Sequence, residues 1–538
     1  MKQNSLPLVL LVCALMAAGC GKKMPVTIIP QPVEYEAKTG CFTLDRETYL
    51  CFDQSALQLP GFTSLINDTY RDFFGTKPNM GDQTARRRNC ILFAVNKKRD
   101  DKLGDEGYRI VVKKGRVTAT ANTAAGLYYA FRTLLQMTAP DMLADNENYR
   151  IPCCKITDYP RFAYRGTHLD VSRHFFSADF VKKYIDMISA YKINRLHWHL
   201  TDDHGWRIQI DKYPKLTEIG AWRPQRDEWS TSNPPSPEEP MTYGGFYTKE
   251  QVRDIVDYAA VRNVEIIPEI ELPGHCSAIL ASYPQFACDD YPYMVAVGPY
   301  WPPKAIVCAG NDEVLQFYKD VLKEVSELFP CQYVHIGGDE AMSDNWQNCP
   351  KCQLRIAEKG LDGEFGLQQW MMNEMENYLK QLGKKTIVWD DVVSDDMTSK
   401  CTIMCWQDTS VGKTALVHGN DVIFCPADYC YFNFYQDKPE KEPLAMSGLV
   451  TLEKAYQFDP EMKGLTEAQA KHILGGQCNL WTEYINTPEQ AEYQLFPRLC
   501  ALSECVWSPR EKKDWKVFSM RVQYHQKLLK KKGINCRQ

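Results

Sequence analysis

Two neighbouring carboxylic acids, Asp339 and Glu340, close the run Val334-His335-Ile336-Gly337-Gly338-Asp339-Glu340. Carboxyls crowded together cannot both ionise easily, so one keeps its proton near neutral pH and can serve as a general acid. The two glycines before them let the backbone turn freely and approach a ligand closely, so both acids can project into one pocket. Acidic residues also suit the first turn of a helix, where the helix dipole favours them. Two features set this pair apart from that simpler reading. An apolar strand runs directly into it, and other strand ends along the chain are equally polar.

The elements that must position the pair begin near Tyr159, where short apolar segments alternate with amphipathic ones. That alternation favours a parallel sheet with crossover helices. Eight segments read as strands: Gly166–Asp170, Leu196–Leu200, Val264–Glu269, Tyr333–Gly337, Thr386–Trp389, Thr402–Trp406, Val422–Cys425 and Gln477–Trp481. Eight such strands over roughly 350 residues predict an α/β fold, a (β/α)8 TIM barrel with its active site at the strand C-terminal ends. Arg165, Asp202, His275, Trp389, Trp406, Trp481 and Glu483 collect at those ends with the acid pair. A doubly wound open sheet would usually show a glycine-rich first turn, and none occurs. Upstream, Tyr108–Val112 and Val117–Ala121 read as strands about the Lys114-Gly115 turn. Asn122-Thr123 then caps a helix carrying Leu127, Tyr128, Phe131, Leu134 and Leu135 at helical spacing. The expected order is a leader over 1–20, a small α+β accessory domain over 25–155, the barrel over 159–510 and a helical tail over 511–538. Lys530-Lys531-Lys532 in that tail read as a solvated helix end.

With those motifs in view, the chain resembles glycoside hydrolase family 20, the β-N-acetylhexosaminidases, whose hallmark is His-x-Gly-Gly-Asp-Glu. Arg165-Gly166-Thr167-His168-Leu169-Asp170-Val171-Ser172-Arg173-His174 resembles the family's first-strand block. His197-Trp198-His199-Leu200-Thr201-Asp202-Asp203-His204-Gly205-Trp206 resembles the second, and Pro268-Glu269-Ile270-Glu271-Leu272-Pro273-Gly274-His275 the third. Trp389-Asp390, Trp406, Tyr431-Phe432-Asn433 and Trp481-Thr482-Glu483 follow in the family's order, and several motifs in order are far more specific than one. The resemblance implies exo-hydrolysis of terminal β-linked N-acetylhexosamine from glycans, with retention and without a cofactor or metal. It also implies that the sugar's 2-acetamido oxygen replaces the usual carboxylate nucleophile, through an oxazolinium intermediate. On that pattern Glu340 is acid and then base, and Asp339 orients the acetamido nitrogen. Arg165 would hold sugar hydroxyls, although pairing with Asp170 would explain it as well. Tyr431 would bond the acetamido carbonyl, Trp389, Trp406 and Trp481 would wall the pocket, and Glu483 would bind distal hydroxyls. Asp202 and His275 would support the site. His204, Glu271 and Asn433 stand where the family often has Gln, Asp and Asp. The position of Asn433 helps choose among neutral, acidic and sulfated sugars.

Two other readings compete. His197-Trp198-His199, with Asp202 and His275, has the spacing of a metal-dependent amidohydrolase site. Those sites keep the pair on the first strand, whereas here it falls on the second. A non-catalytic glycan-binding lipoprotein would be marked by loss of the acid, and Glu340 is present.

The bulk composition narrows the partners. A formal net charge of −5 carries no electrostatic signature of nucleic-acid binding. Lys2, the apolar run Leu6–Ala18 and Gly19-Cys20 form a secretory leader that is too short for a membrane span. The small residues before Cys20 resemble a lipobox, which implies an exported bacterial envelope protein touching the membrane only through a lipid on Cys20. Setting aside Cys13 and Cys20, 19 of the 21 cysteines remain. Cys349 and Cys352 form the sole Cys-x-x-Cys, with no second pair at zinc-finger spacing. A local disulfide or plain burial is expected there instead of a metal.

Overall fold

The computed structural model describes residues 26–81, 88–226, 233–236, 238–299, 305–395 and 397–538. The expected leader and Cys20 lie outside the described residues. The first unit is a seven-stranded sheet, ordered Glu34–Leu44, Tyr149–Asp158, Tyr108–Lys113, Arg116–Ala121, Cys90–Val95, Tyr49–Phe52, Asn79–Gly81. Helix Ala124–Met137 starts where the Thr123 hydroxyl accepts the Gly126 N–H. Its Leu127, Phe131 and Leu134 join Ile110, Val117 and Ile156 of the sheet in one core. Trp507 belongs to that same core although it comes from far along the chain, at the end of helix Arg498–Trp507.

The second unit is a closed barrel of eight parallel strands. In chain order they are Tyr164–Asp170, Arg195–His199, Glu265–Leu272, Tyr333–Gly337, Lys385–Trp389, Thr402–Cys405, Val422–Phe424 and Ile473–Cys478. The first six and the seventh fall close to the segments read from sequence. The eighth lies upstream of Gln477–Trp481, because Gly475-Gly476 disguises its start. Gly475 sits at φ +148°, and a Cβ there would meet the Tyr164 carbonyl oxygen at 1.9 Å. Closing the barrel against the first strand therefore demands the residue that most weakens a strand signal.

Arg165 requires a correction. It is the second residue of the first strand, and the active end of a barrel is the other one. Its guanidinium meets Glu106 of the accessory domain at 2.9 and 2.5 Å and the Phe162 carbonyl at 2.9 Å, while Nε donates to the Lys192 carbonyl at 2.8 Å. Trp507 stacks 4.9 Å from it. Fully buried, Arg165 joins the accessory domain to the barrel's base; it contacts neither the pocket nor Asp170.

The tail forms helix Trp515–Lys531, capped by Asp514. Arg521 pairs with Glu504 at 2.6 Å and donates to the Ile28 carbonyl at 2.7 Å; His525 Nε2 bonds the Thr27 carbonyl at 2.6 Å. Its terminal lysines are not simply solvated. Lys531 donates to the Met142 carbonyl at 2.6 Å, and Lys532 donates to the Phe73 carbonyl at 2.8 Å and lies 3.9 Å from that ring.

Candidate active site

The fourth strand delivers Asp339 and Glu340 to the C-terminal rim through two left-handed glycines, Gly337 at φ +63° and Gly338 at φ +99°. A Cβ on Gly337 would lie 1.8 Å from Glu271 Oε2, so no other residue fits. Glu340 itself takes φ +44°, and His275 in the loop after the neighbouring strand takes φ +45°. Non-glycine residues held there cost of order 1–3 kcal/mol each and persist where the surroundings enforce them. The outcome is a divergent pair. Asp339 is nearly buried, whereas 64% of the Glu340 side chain is exposed.

His275 stands between the two acids and the second strand. Its Nε2 lies 3.5 Å from Glu340 and 3.6 Å from Asp339, and its Nδ1 lies 3.2 Å from Asp203 and 3.4 Å from Asp202. Burial alone would push this imidazole down, but Asp202 and Asp203 outweigh it and hold His275 well above its ordinary value. The resulting imidazolium, hydrogen-bonded to Glu340, keeps that carboxyl below the usual range. Burial pushes Asp339 the other way, to about 7, with Glu269, Asp391 and Glu340 adding to the rise against His275. The crowded pair does split its protonation, and the higher value belongs to Asp339. Glu271, pressed against Gly337, is also driven well up by burial and by Asp339.

Beneath the acids, Glu269 forms a polar floor. It accepts from Trp389 Nε1 at 2.8 Å and from His199, and lies 2.9 Å from both His197 and His335. His199 Nε2 also meets Asp202 Oδ2 at 2.9 Å. The His197/His199 pair of the amidohydrolase reading is thus fully buried and engaged with protein carboxylates, and that reading is not favoured.

Aromatic rings wall the pocket. Trp389 and Trp481 stand 5.8 Å apart, and Tyr431 stacks on Trp406 at 6.0 Å and 25°. Trp406 Nε1 donates to Asp391 at 2.8 Å, and the other Asp391 oxygen accepts the Glu340 N–H at 3.3 Å. Asp391 therefore couples a wall to the acid, and sequence reasoning missed it. Arg173 was missed too. It follows the first strand, meets Asp202 at 2.8 Å and Asp170 at 3.3 Å, and lies 5.0 Å from the Trp481 ring. Arg173 stood in the quoted first-strand block, and counting towards the strand's C-terminal end would have selected it over Arg165. Arg173 Nε, Asp339 Oδ1, Asn433 Oδ1 and Glu483 Oε2 are buried without a hydrogen-bond partner. Each such orphan costs ~1–3 kcal/mol in a protein without a ligand to satisfy it. Burial lifts Glu483 to about 7.

An acid pair, aromatic walls and convergent unpartnered polar atoms at the top of a (β/α)8 barrel define a glycosidase-class site. Residues 162–510 match the glycosyl hydrolase family 20 catalytic domain, and residues 26–159 match that family's domain 2. The chain belongs to glycosyl hydrolase family 20. It is 37% identical over 540 residues to a beta-hexosaminidase of Porphyromonas gingivalis, covering 97% of this chain and 67% of that protein. A Vibrio furnissii beta-hexosaminidase is 37% identical, with 74% of this chain and 65% of that protein covered. The chain thus spans about two thirds of these relatives. Among solved structures, a Vibrio harveyi family 20 exo β-N-acetylglucosaminidase in complex with N-acetylglucosamine superposes with a TM-score of 0.84 at 31% identity. That match covers 95% of this chain and 78% of the other. A Bacteroides fragilis β-N-acetylhexosaminidase gives 0.78 at 31% identity, with 95% and 96% covered.

Proposed function

We propose that this enzyme removes terminal, non-reducing β-linked GlcNAc or GalNAc from glycans with retention, using the substrate's own acetamido group as nucleophile. The observation that carries the reading is the divergent acid pair, Asp339 deep among aromatic walls and Glu340 at the open rim. An acetamido N–H donated to the orphaned Asp339 Oδ1 supplies the hydrogen bond that its carboxylate lacks, which draws Asp339 down from about 7 into its charged form. A sugar covering Glu340 strips it of water and raises it, so the bound complex places the proton where a leaving group needs it. The acetamido oxygen then bonds to the anomeric carbon as the bond to the leaving oxygen breaks, and Glu340 gives its proton to that oxygen. Water later attacks the same carbon as its bond to the acetamido oxygen breaks, which restores the acetamido group, and the proton lost by that water returns to Glu340. Tethering of the nucleophile supplies proximity, and proton transfer by Glu340 contributes ~10²–10⁴-fold. Arg173, Asn433 and Glu483 would bind hydroxyls, in place of the role expected of Arg165.

Glu340→Gln tests this reading. It should depress kcat/KM on a GlcNAc disaccharide by ~10²–10⁴-fold and much less on an aryl glycoside whose leaving group needs no proton. Equal losses on both substrates would remove Glu340 from the acid role. Placement at the membrane through a lipid on Cys20 is a separate part of the proposal, supported by the leader pattern alone. Mass spectrometry of the mature N-terminus should find diacylglyceryl-cysteine, and a free residue there would refute it. No helix among the described residues is long and apolar enough to cross a membrane.

A further inference from the structure

Four cysteines from three stretches of loop converge beside the active site. Cys288 follows the turn Pro284–Phe286. Cys308 is brought opposite it where Ala287 and Val307 bridge antiparallel and the Cys308 N–H donates to the Phe286 carbonyl at 2.8 Å. Cys349 caps helix Pro350–Lys359, and Cys352 lies in its first turn. Cys308 Sγ is 3.6 Å from Cys349 Sγ and 3.7 Å from Cys352 Sγ, and Cys352 Sγ is 3.8 Å from Cys288 Sγ. All four sulfurs lie within 4.8 Å of one another.

These distances bear on the disulfide expected at the Cys-x-x-Cys and on the metal that was not expected there. A disulfide holds its sulfurs about 2.05 Å apart in a single defined pair. Here the thiols are free, and Cys308 and Cys352 each contact two others, so no pairing is singled out. Four thiolates around a zinc ion at ~2.3 Å occupy the corners of a tetrahedron whose edges are about 3.8 Å. Three of the six sulfur–sulfur spacings, 3.6, 3.7 and 3.8 Å, match those edges, and the other three lie within 4.8 Å.

The surrounding backbone is packed to hold the four sulfurs together. Gly310 closes against the two-cysteine turn from the Cys308 side. A Cβ there would fall 2.3 Å from the Lys351 carbonyl oxygen and 2.4 Å from the Cys352 nitrogen, so only glycine lets the Cys308 loop approach the turn this closely. Cys308, Cys349 and Cys352 are buried and Cys288 is half-buried.

We propose that Cys288, Cys308, Cys349 and Cys352 form a closed tetrathiolate site for a structural zinc ion. Binding releases the thiol protons to solvent and leaves no open coordination position, so the ion carries no step of the hydrolysis. Its work is mechanical. It fastens the loop after the third strand, which carries His275, to the segment that follows Asp339 and Glu340. Two further contacts run across the same seam: Trp346 Nε1 to the Val307 carbonyl at 2.8 Å and Asn345 Nδ2 to Asp289 at 3.0 Å. The strained backbone of both His275 and Glu340 lies between these fastenings and the barrel strands.

The test uses the full chain. After purification from zinc-containing medium and thorough buffer exchange, elemental analysis should find zinc at one equivalent per chain. Exchange with cobalt(II) should give the intense visible bands of a tetrahedral thiolate site. Cys352→Ser should lose both signals, while Cys288→His should keep a bound metal with a shifted cobalt spectrum, because imidazole replaces the one half-exposed ligand. Stripping zinc with a chelator should lower the melting temperature, and zinc should restore it. Should Cys352→Ser fail to fold, the unmodified chain still decides the matter. The proposal falls if that chain, fully reduced, holds and takes up neither zinc nor cobalt. It falls equally if peptide mapping of the folded, active enzyme finds these four cysteines joined as disulfides.

Discussion

An arginine stands at each end of the first barrel strand, and the two live in opposite surroundings. At the base, Arg165 is fully buried, with its Nε and both terminal nitrogens donating to Glu106 and to backbone carbonyls. At the top, Arg173 is nearly as buried and also faces carboxylates, yet its Nε has no partner, and Asp339, Asn433 and Glu483 carry orphaned atoms as well. Burial and charge do not distinguish the two. Setting does: Arg165 is fully engaged by its own protein, whereas the orphaned Arg173 Nε shares its end of the barrel with the orphaned atoms of Asp339, Asn433 and Glu483, and such a convergence at a barrel rim points to a ligand.

The strongest way to probe this contrast is to change the deepest incomplete group. Asp339→Asn should cut kcat/KM by roughly 10²–10³-fold, since it removes the charge that faces the reacting amide. The same change should stabilise the fold at alkaline pH. Because burial raises Asp339 to about 7 from an unfolded value near 4, the folded state binds the extra proton between those values. Its contribution to stability is therefore fully present below pH ~4 and lost as pH rises to about 7. Melting curves at pH 5 and pH 8 should show the Asn variant gaining on the parent at the higher pH; parallel profiles would mean that Asp339 is not the raised group.

A matched pair of substitutions carries the next effect. Arg173→Lys keeps the charge but loses the planar fork, and should lower kcat/KM by about 10–10²-fold with a small change in melting temperature. Arg165→Lys should do the reverse, costing ~1–3 kcal/mol of stability while leaving KM in place. If both variants lost activity alike, the division between base and rim would collapse. The mildest change is Trp406→Phe, which retains a ring but removes the donor to Asp391. A rise of a few-fold in KM is expected, from the ~0.5–1.5 kcal/mol of one hydrogen bond.

Much of this was legible in the sequence, for reasons that differ by region. The barrel strands are short apolar runs between polar ends, so periodicity located them. Only the glycine-rich eighth was displaced, where close packing against Tyr164 overrides strand propensity. The helix at Ala124–Met137 announced itself through Thr123 and its apolar spacing. Arg165 misled because residue type was weighed without strand polarity. The four-cysteine cluster was hidden for a further reason. Cys308 and Cys288 lie 41 and 64 residues from the partners they meet, and no local spacing records what a folded pair of loops brings together. The divergent ionisation of Asp339 and Glu340 likewise depends on depth and on His275, which adjacency in the chain does not encode.

Trp507 gives the molecule's division into two units a different meaning. The accessory sheet and its helix are completed by an indole from the barrel's last crossover, with Tyr129 packed edge-on against it at 5.4 Å. A fragment ending at the domain boundary would open a hydrophobic socket to water, and the barrel alone would expose the matching plug. The halves should therefore melt in a single transition, and neither should keep its full stability when separated from the other.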